Sequence, residues 1–168
     1  MIRKKVSHLR DEVWEFRNNR DAYAKATKLE DALNVDHVLE LQLASFASLD
    51  DPAVLPLTRD VFNGEINLNA TSKRINQAKR GPFTAAINRL NKRDGSLREI
   101  SAEQLARSGR ARWLVDEGVW AKIEREVVAS YDGAEEELKN RRLTRAQCKK
   151  IEEGMDRLHD ALSKIKIM

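Results

Sequence analysis

Apolar positions recur along most of this chain at helical spacing. Val6, Leu9, Val13, Phe16 and then Tyr23 step at three, four and seven residues, which predicts one amphipathic helix from about Ser7 to Lys28. The spacing of Val38, Leu39, Leu41 and Leu43 within 34–43 fits either a short strand or the start of a helix. Residues 50–64 contain Pro52, Pro56, Asn63 and Gly64 and read as loop. From Glu65 to Thr71 the pattern alternates, with Ile66, Leu68 and Ala70 inward and Asn67 and Asn69 outward, as in a strand. Thr71 or Ser72 then caps a helix predicted to stop near Arg80, where Gly81-Pro82 follows. A further helix resumes over 83–90, with a turn at 91–95.

The C-terminal half carries the clearest periodicity. Ser101 with Gln104, and Thr144 with Gln147, form capping-box pairs. Val119, Trp120, Ile123, Val127 and Tyr131 make one apolar stripe, and Ile151, Met155, Leu158, Leu162 and Ile165 make another. Two such helices must bury their stripes against something, most simply each other and the N-terminal helix.

Composition narrows the class. The 168 residues amount to a single domain, 35% charged and 5% aromatic, with no apolar run long enough to span a membrane. The opening MIRKKVSHLRDEV has no signal-type apolar stretch, and the lone Cys148 makes neither an internal disulfide nor a cysteine-rich zinc site. An intracellular, reducing location is the expectation. Charge is uneven: 73–112 holds eleven basic and three acidic residues, a net +8 within a chain of +4, which leaves −4 elsewhere. A polyanion would meet that basic segment, although a solvated Arg-rich helical surface has the same composition.

One constellation carries chemistry. Asp36-His37 is followed by Asn67-Leu68-Asn69 and then by Asn76-Gln77-Ala78-Lys79. A carboxylate, an imidazole, an amide and a second oxygen donor with a lysine one turn on are the parts that hydrolyse a phosphodiester around one divalent cation. An imidazole with an ordinary pKa near 6.5 is largely neutral at pH 7 and can take a proton from water. His8 and His159 have no comparable neighbour. Taken singly, each residue also has an ordinary structural use. His37 can be a hydrogen-bonded core histidine, Asp36 a turn or cap, the asparagines strand-end residues and the lysines surface charge.

VDHVLELQ and INLNATSKRINQAKRG resemble the HNH (His-Me finger, ββα-metal) nucleases, over about residues 34 to 92. The nine-residue step from Asn67 to Asn76 is similar to that in the HNH domain of RNA-guided DNA-cutting effectors. The interval from His37 to Asn67 is longer than usual, and the zinc-ribbon cysteines of many HNH proteins are missing. The resemblance implies a mainly α fold with a small ββα-metal core in a helical shell: an N-terminal helix over 1–33, the core over 34–92 and C-terminal helices over 96–168. It implies that Asp36 and Asn76 hold Mg²⁺ or Mn²⁺, a hard cation suited to oxygen donors. It makes His37 the general base, with Asn67 (or Asn69, two residues on) aiming its ring and Lys79 holding a phosphate oxygen. Lys73, Arg74, Arg80 and Arg89 then contact nucleic acid along the backbone, and Glu40 is either a partner behind His37 or a plain exposed acid.

NLNATSKRINQAKRGPFTAAINRL and GRARWLVDEGVWAKIEREVV also resemble the C-terminal nuclease-like domains of Crinkler effectors, which oomycetes and chytrid fungi deliver into host cells. That resemblance implies DNA rather than RNA as partner, and the host nucleus as location. Two other classes fit the same residues: a nucleic-acid-binding domain of this shape that does not cut, and a helical module that recruits a protein through its C-terminal stripes.

Overall fold

The computed structural model describes residues 2, 6–25, 33–90 and 117–164, with backbone alone at 82, 85, 86, 89, 90 and 117. Among these, the protein is mainly helical, with one two-stranded antiparallel sheet. No helix among the described residues is long and apolar enough to cross a membrane.

A 3-10 turn at Ser7–Leu9 leads into α1 (Arg10–Phe16). The long helix expected here ends at Phe16 because Asn18 and Asn19 take left-handed backbone angles, φ 55° and 56°. Two such residues in succession cannot continue a right-handed helix, and asparagine is one of the few side chains that tolerates the conformation. Val13 and Trp14 bury in a small cluster with Val6, Leu33, Leu68 and Ala70, while Phe16 is left 49% exposed. Tyr23, beyond the break, enters the main core instead.

β1 (Leu33–His37) settles the ambiguous segment as strand, and the chain then turns through Glu40 into α2 (Leu41–Phe46). The stretch expected as loop contains α3 (Leu55–Phe62). Pro56 sits in its first turn, where a missing N–H breaks no helical hydrogen bond, so this proline opens the helix rather than preventing it. Val61 and Phe62 anchor α3 in the main core.

A 3-10 turn at Glu65–Asn67 delivers β2 (Leu68–Ser72), and α4 (Lys73–Leu90) follows without a linker. The Ser72 hydroxyl accepts from the Ile75 N–H at 3.3 Å, as a cap should. The helix runs through Gly81-Pro82, where a stop was expected. Phe83 and Ile87 continue the buried stripe begun by Ile75 and Ala78. Burying two large apolar side chains, at about 1.5–3 kcal/mol each, offsets the ~3 kcal/mol that proline costs inside a helix.

α5 (Glu117–Lys139) and α6 (Arg145–Lys164) carry the two apolar stripes, both buried in the main core. The Thr144–Gln147 box closes as expected: the Gln147 N–H donates to the Thr144 hydroxyl at 3.3 Å and the Thr144 N–H to Gln147 Oε1 at 3.0 Å. Its Ser101–Gln104 counterpart, the turn at 91–95 and Ile165 lie outside the described residues. Gly133 lets α5 approach the 3-10 turn closely, since a Cβ there would overlap the Ile66 side chain. One helical turn earlier, Ser130 makes the contact through which α5 supports the candidate site.

Candidate functional site

Strand geometry sends neighbouring side chains to opposite faces. The register pairs Asp36 with Asn69 and His37 with Leu68, so Asp36, Asn69 and Thr71 share one face of the sheet and His37 lies on the other. Both faces of β2 are buried, not one as the alternation predicted.

The Asp36 face is a sealed polar cluster. Asp36 Oδ2 accepts from the Tyr23 hydroxyl at 2.8 Å and from the Lys79 ammonium at 2.7 Å. Lys79 comes from the second turn of α4 and has no exposed side-chain surface. Its ammonium also donates to the His37 carbonyl at 2.5 Å, lies 3.2 Å from Glu40 Oε1, and sits 5.8 Å and 5.7 Å from the ring centres of Tyr23 and Phe83. Around the rim, Asp21 accepts from Asn69 Nδ2 and from the Thr71 hydroxyl, and Asn69 Oδ1 accepts from the Ala22 N–H.

Burial dominates the electrostatics of this face. It pushes the Asp36 carboxyl up to about 6, against the pull of the Lys79 charge. Burial also works to lower the Lys79 pKa, but Asp36 and Glu40 outweigh it and the ammonium is held above its usual value. Tyr23 is raised well above the ordinary phenol range, first by burial and then by the Asp36 charge, so it remains a donor.

The His37 face is organised by amides. His37 Nε2 lies 3.1 Å from Asn63 Oδ1. The Asn63 Nδ2 group donates to the carbonyls of Ile2 at 2.8 Å and Arg59 at 2.7 Å. Those two donations fix which end of the amide faces the ring, so the Asn63 oxygen is the acceptor for Nε2–H. Arg59, one turn earlier on α3, has a buried Nε with no partner among the described residues.

Asn67, the expected orienting residue, does different work. Its Oδ1 accepts from the Leu39 N–H at 2.6 Å and the Ser130 hydroxyl at 2.7 Å, and its Nδ2 donates to the carbonyls of Leu39 at 3.1 Å and Phe62 at 2.9 Å. It ties the segment after β1 to α3 and α5, and the amide on the His37 ring belongs to Asn63 instead. Asn69, the second choice, faces the opposite side of the sheet and cannot reach that ring.

Two further expectations are corrected. Lys79 is not a surface group reaching for phosphate but a buried ion-pair partner. Glu40 is not exposed; it is buried beside Lys79. Asp36 Oδ2 has the Lys79 ammonium 2.7 Å away, a charge that a divalent cation at that oxygen would meet. Asn76, in the first turn of α4, is half-buried, and its side chain makes no hydrogen bond among the described residues. No group of three or more His, Cys, Asp or Glu among the described residues is placed to hold a metal. Lys73, Arg74 and Arg80 are exposed along α4, and the Arg89 side chain lies outside the described residues.

Tyr23 and Asn63 escaped the sequence reading. Tyr23 matched a helical period that the fold breaks at Asn18, and Asn63 sits before Gly64, a pair that signals a turn whatever its side chain does. Compared with protein-family profiles, with curated proteins and with solved structures, the chain matches none.

Proposed function

We propose that this protein hydrolyses phosphodiester bonds of nucleic acid, DNA in preference to RNA, as an endonuclease with His37 as general base. The observation that carries the reading is the held imidazole at the end of β1. A fixed amide oxygen 3.1 Å from Nε2 orients the ring of the residue proposed to take a proton from water. β1 pairs with β2, with α2 and α3 between them in sequence, and α4 follows β2 directly. The exposed Lys73, Arg74 and Arg80 put positive charge on the same helix for the nucleic-acid backbone. Arg59, whose Nε is unmet among the described residues on the helix that Asn63 caps, adds a further cation for phosphate.

Mg²⁺ or Mn²⁺ belongs to this proposal as the charge that would stabilise the phosphate and the leaving oxygen. Asn76 offers it an oxygen. Asp36 fits as a ligand only after parting from Lys79.

One observation favours a second reading, a nucleic-acid-binding domain that does not cut: the carboxylate expected to hold the cation is neutralised within the chain. Incubation of plasmid DNA with Mg²⁺ or Mn²⁺ separates the two. The endonuclease nicks the plasmid, EDTA stops it, and His37→Ala loses the cutting while keeping its fold and DNA affinity. Cutting that survives His37→Ala removes the mechanism. Salt-sensitive binding without turnover in either metal selects the binding domain.

A further inference from the structure

We propose that Lys79 is the resident cation of this fold, its ammonium taking the place beside Asp36 where the HNH resemblance puts a divalent metal ion. Asp36 Oδ2, Glu40 Oε1 and the His37 carbonyl oxygen surround Nζ at 2.7, 3.2 and 2.5 Å. Two carboxylates and a backbone carbonyl are the hard oxygen donors a Mg²⁺, Mn²⁺ or Ca²⁺ ion takes. An ammonium with three N–H groups satisfies the same donors with a single positive charge.

The surroundings are built for a permanent charge rather than an exchangeable one. Lys79 has no exposed surface, and Asp36 and Glu40 are nearly as enclosed. The Tyr23 hydroxyl adds a hydrogen bond to the same Oδ2, and the rings of Tyr23 and Phe83 flank the ammonium. The lysine stem reaches the cage from α4, the helix that begins one residue after β2, so the cation arrives with the fold and needs no supply from solution.

Position matters as much as charge. By donating to the His37 carbonyl, Lys79 fixes the peptide from which the imidazole departs to the other face of the sheet. Asp36, Lys79 and Glu40 thus make one rigid side of the strand, and any metal ion that serves a reaction at His37 is bound without Asp36. The inference deepens the proposed function, and its readouts do not depend on cleavage.

The test uses the full chain with Mn²⁺ as probe, followed by electron paramagnetic resonance titration and by thermal unfolding. In wild type and in Asp36→Asn the Mn²⁺ titrations are expected to coincide, because Lys79 keeps Asp36 out of reach. In Lys79→Ala, which leaves the oxygens facing a gap, Mn²⁺ is expected to bind at least tenfold more tightly than in wild type and to raise the melting temperature. Adding Glu40→Gln to that variant should remove both gains. Tighter Mn²⁺ binding by wild type than by Asp36→Asn overturns the proposal, as does a folded Lys79→Ala protein whose melting temperature ignores Mn²⁺. Should Lys79→Ala not fold without metal, refolding in Mn²⁺ or Ca²⁺ decides: recovery supports a cation's place, and failure in both ions counts against it. Loss of DNA cutting in every variant would bear on the endonuclease reading and leave these titrations to stand alone.

Discussion

The two faces of β1 differ in what they hold and in how tightly. On one, Asp36 is closed into an ionic cluster by Lys79, Glu40 and Tyr23; on the other, one residue along, the His37 ring meets the neutral amide of Asn63. Charges withdrawn from water are stable only when fully matched, so the Asp36 face resists change and gives the strand its fixed position. The His37 ring meets a neutral acceptor at Asn63, with no formal charge at that hydrogen bond. A site that moves protons needs both conditions side by side, one face rigid and one responsive.

The comparison breaks most visibly at the ionic face. Lys79→Met leaves two carboxylates without their cation and is expected to lower stability by about 3–5 kcal/mol in urea unfolding, since a buried partner is lost while its opposite remains. A near-neutral result would mean that the cluster contributes no rigidity. Asn67→Ala comes next, with four hydrogen bonds lost at a fully buried position and a drop of about 3 kcal/mol, because several backbone groups are orphaned together.

The amide face should respond more weakly in stability and more strongly in chemistry. Asn63→Ala is expected to lower stability by about 1–2 kcal/mol, and to slow DNA cutting as the imidazole loses its fixed tautomer. His37→Ala should change stability by only about 1 kcal/mol, yet slow cutting by roughly 10²–10⁴-fold, the range of a general base. If His37→Ala unfolds the protein as readily as Lys79→Met does, the two faces are not different in kind.

The smallest effect is a pH slope. Asp36 has a folded-state value raised to about 6, so the folded protein takes up a proton more readily than the unfolded chain between the ordinary carboxyl range and pH 6. That contribution is complete below the ordinary value and is lost as pH rises through about 6. Melting temperatures across this window should therefore fall with rising pH more in wild type than in Asp36→Asn. The groups packed around Asp36 are Lys79, Glu40 and Tyr23, and an equal slope in the two proteins would mean that another residue dominates.

Much of the frame was legible from residues alone. The stripes of α5 and α6 and the Thr144 cap follow from periods and capping chemistry that local geometry fixes. The N-terminal helix was overdrawn because a hydrophobic period does not register two left-handed asparagines. α3 was missed, and α4 cut short, because proline was read as a breaker. In α3 it stands at the start, and in α4 the buried Phe83 and Ile87 outweigh it. The partners of the site residues depend on longer-range contacts. Whether Lys79 faces solvent or Asp36, and whether Asn63 or Asn67 meets His37, depends on contacts 26 to 43 residues apart in sequence. No local pattern encodes those.

The Asn63-Gly64 step has a chemical consequence of its own. Asparagine followed by glycine is the dipeptide most prone to lose ammonia, because the unhindered glycine nitrogen closes a ring on the amide carbon. Here the Gly64 N–H is bonded to the Val61 carbonyl at 3.0 Å and both amide hydrogens of Asn63 are engaged, so the folded chain guards the bond that unfolding exposes. A sample aged by repeated heating would gain aspartate at this position, place a carboxylate against the imidazole, and lose the donors that Ile2 and Arg59 now receive. The protein's shelf life is thus written into the same side chain that orients its histidine.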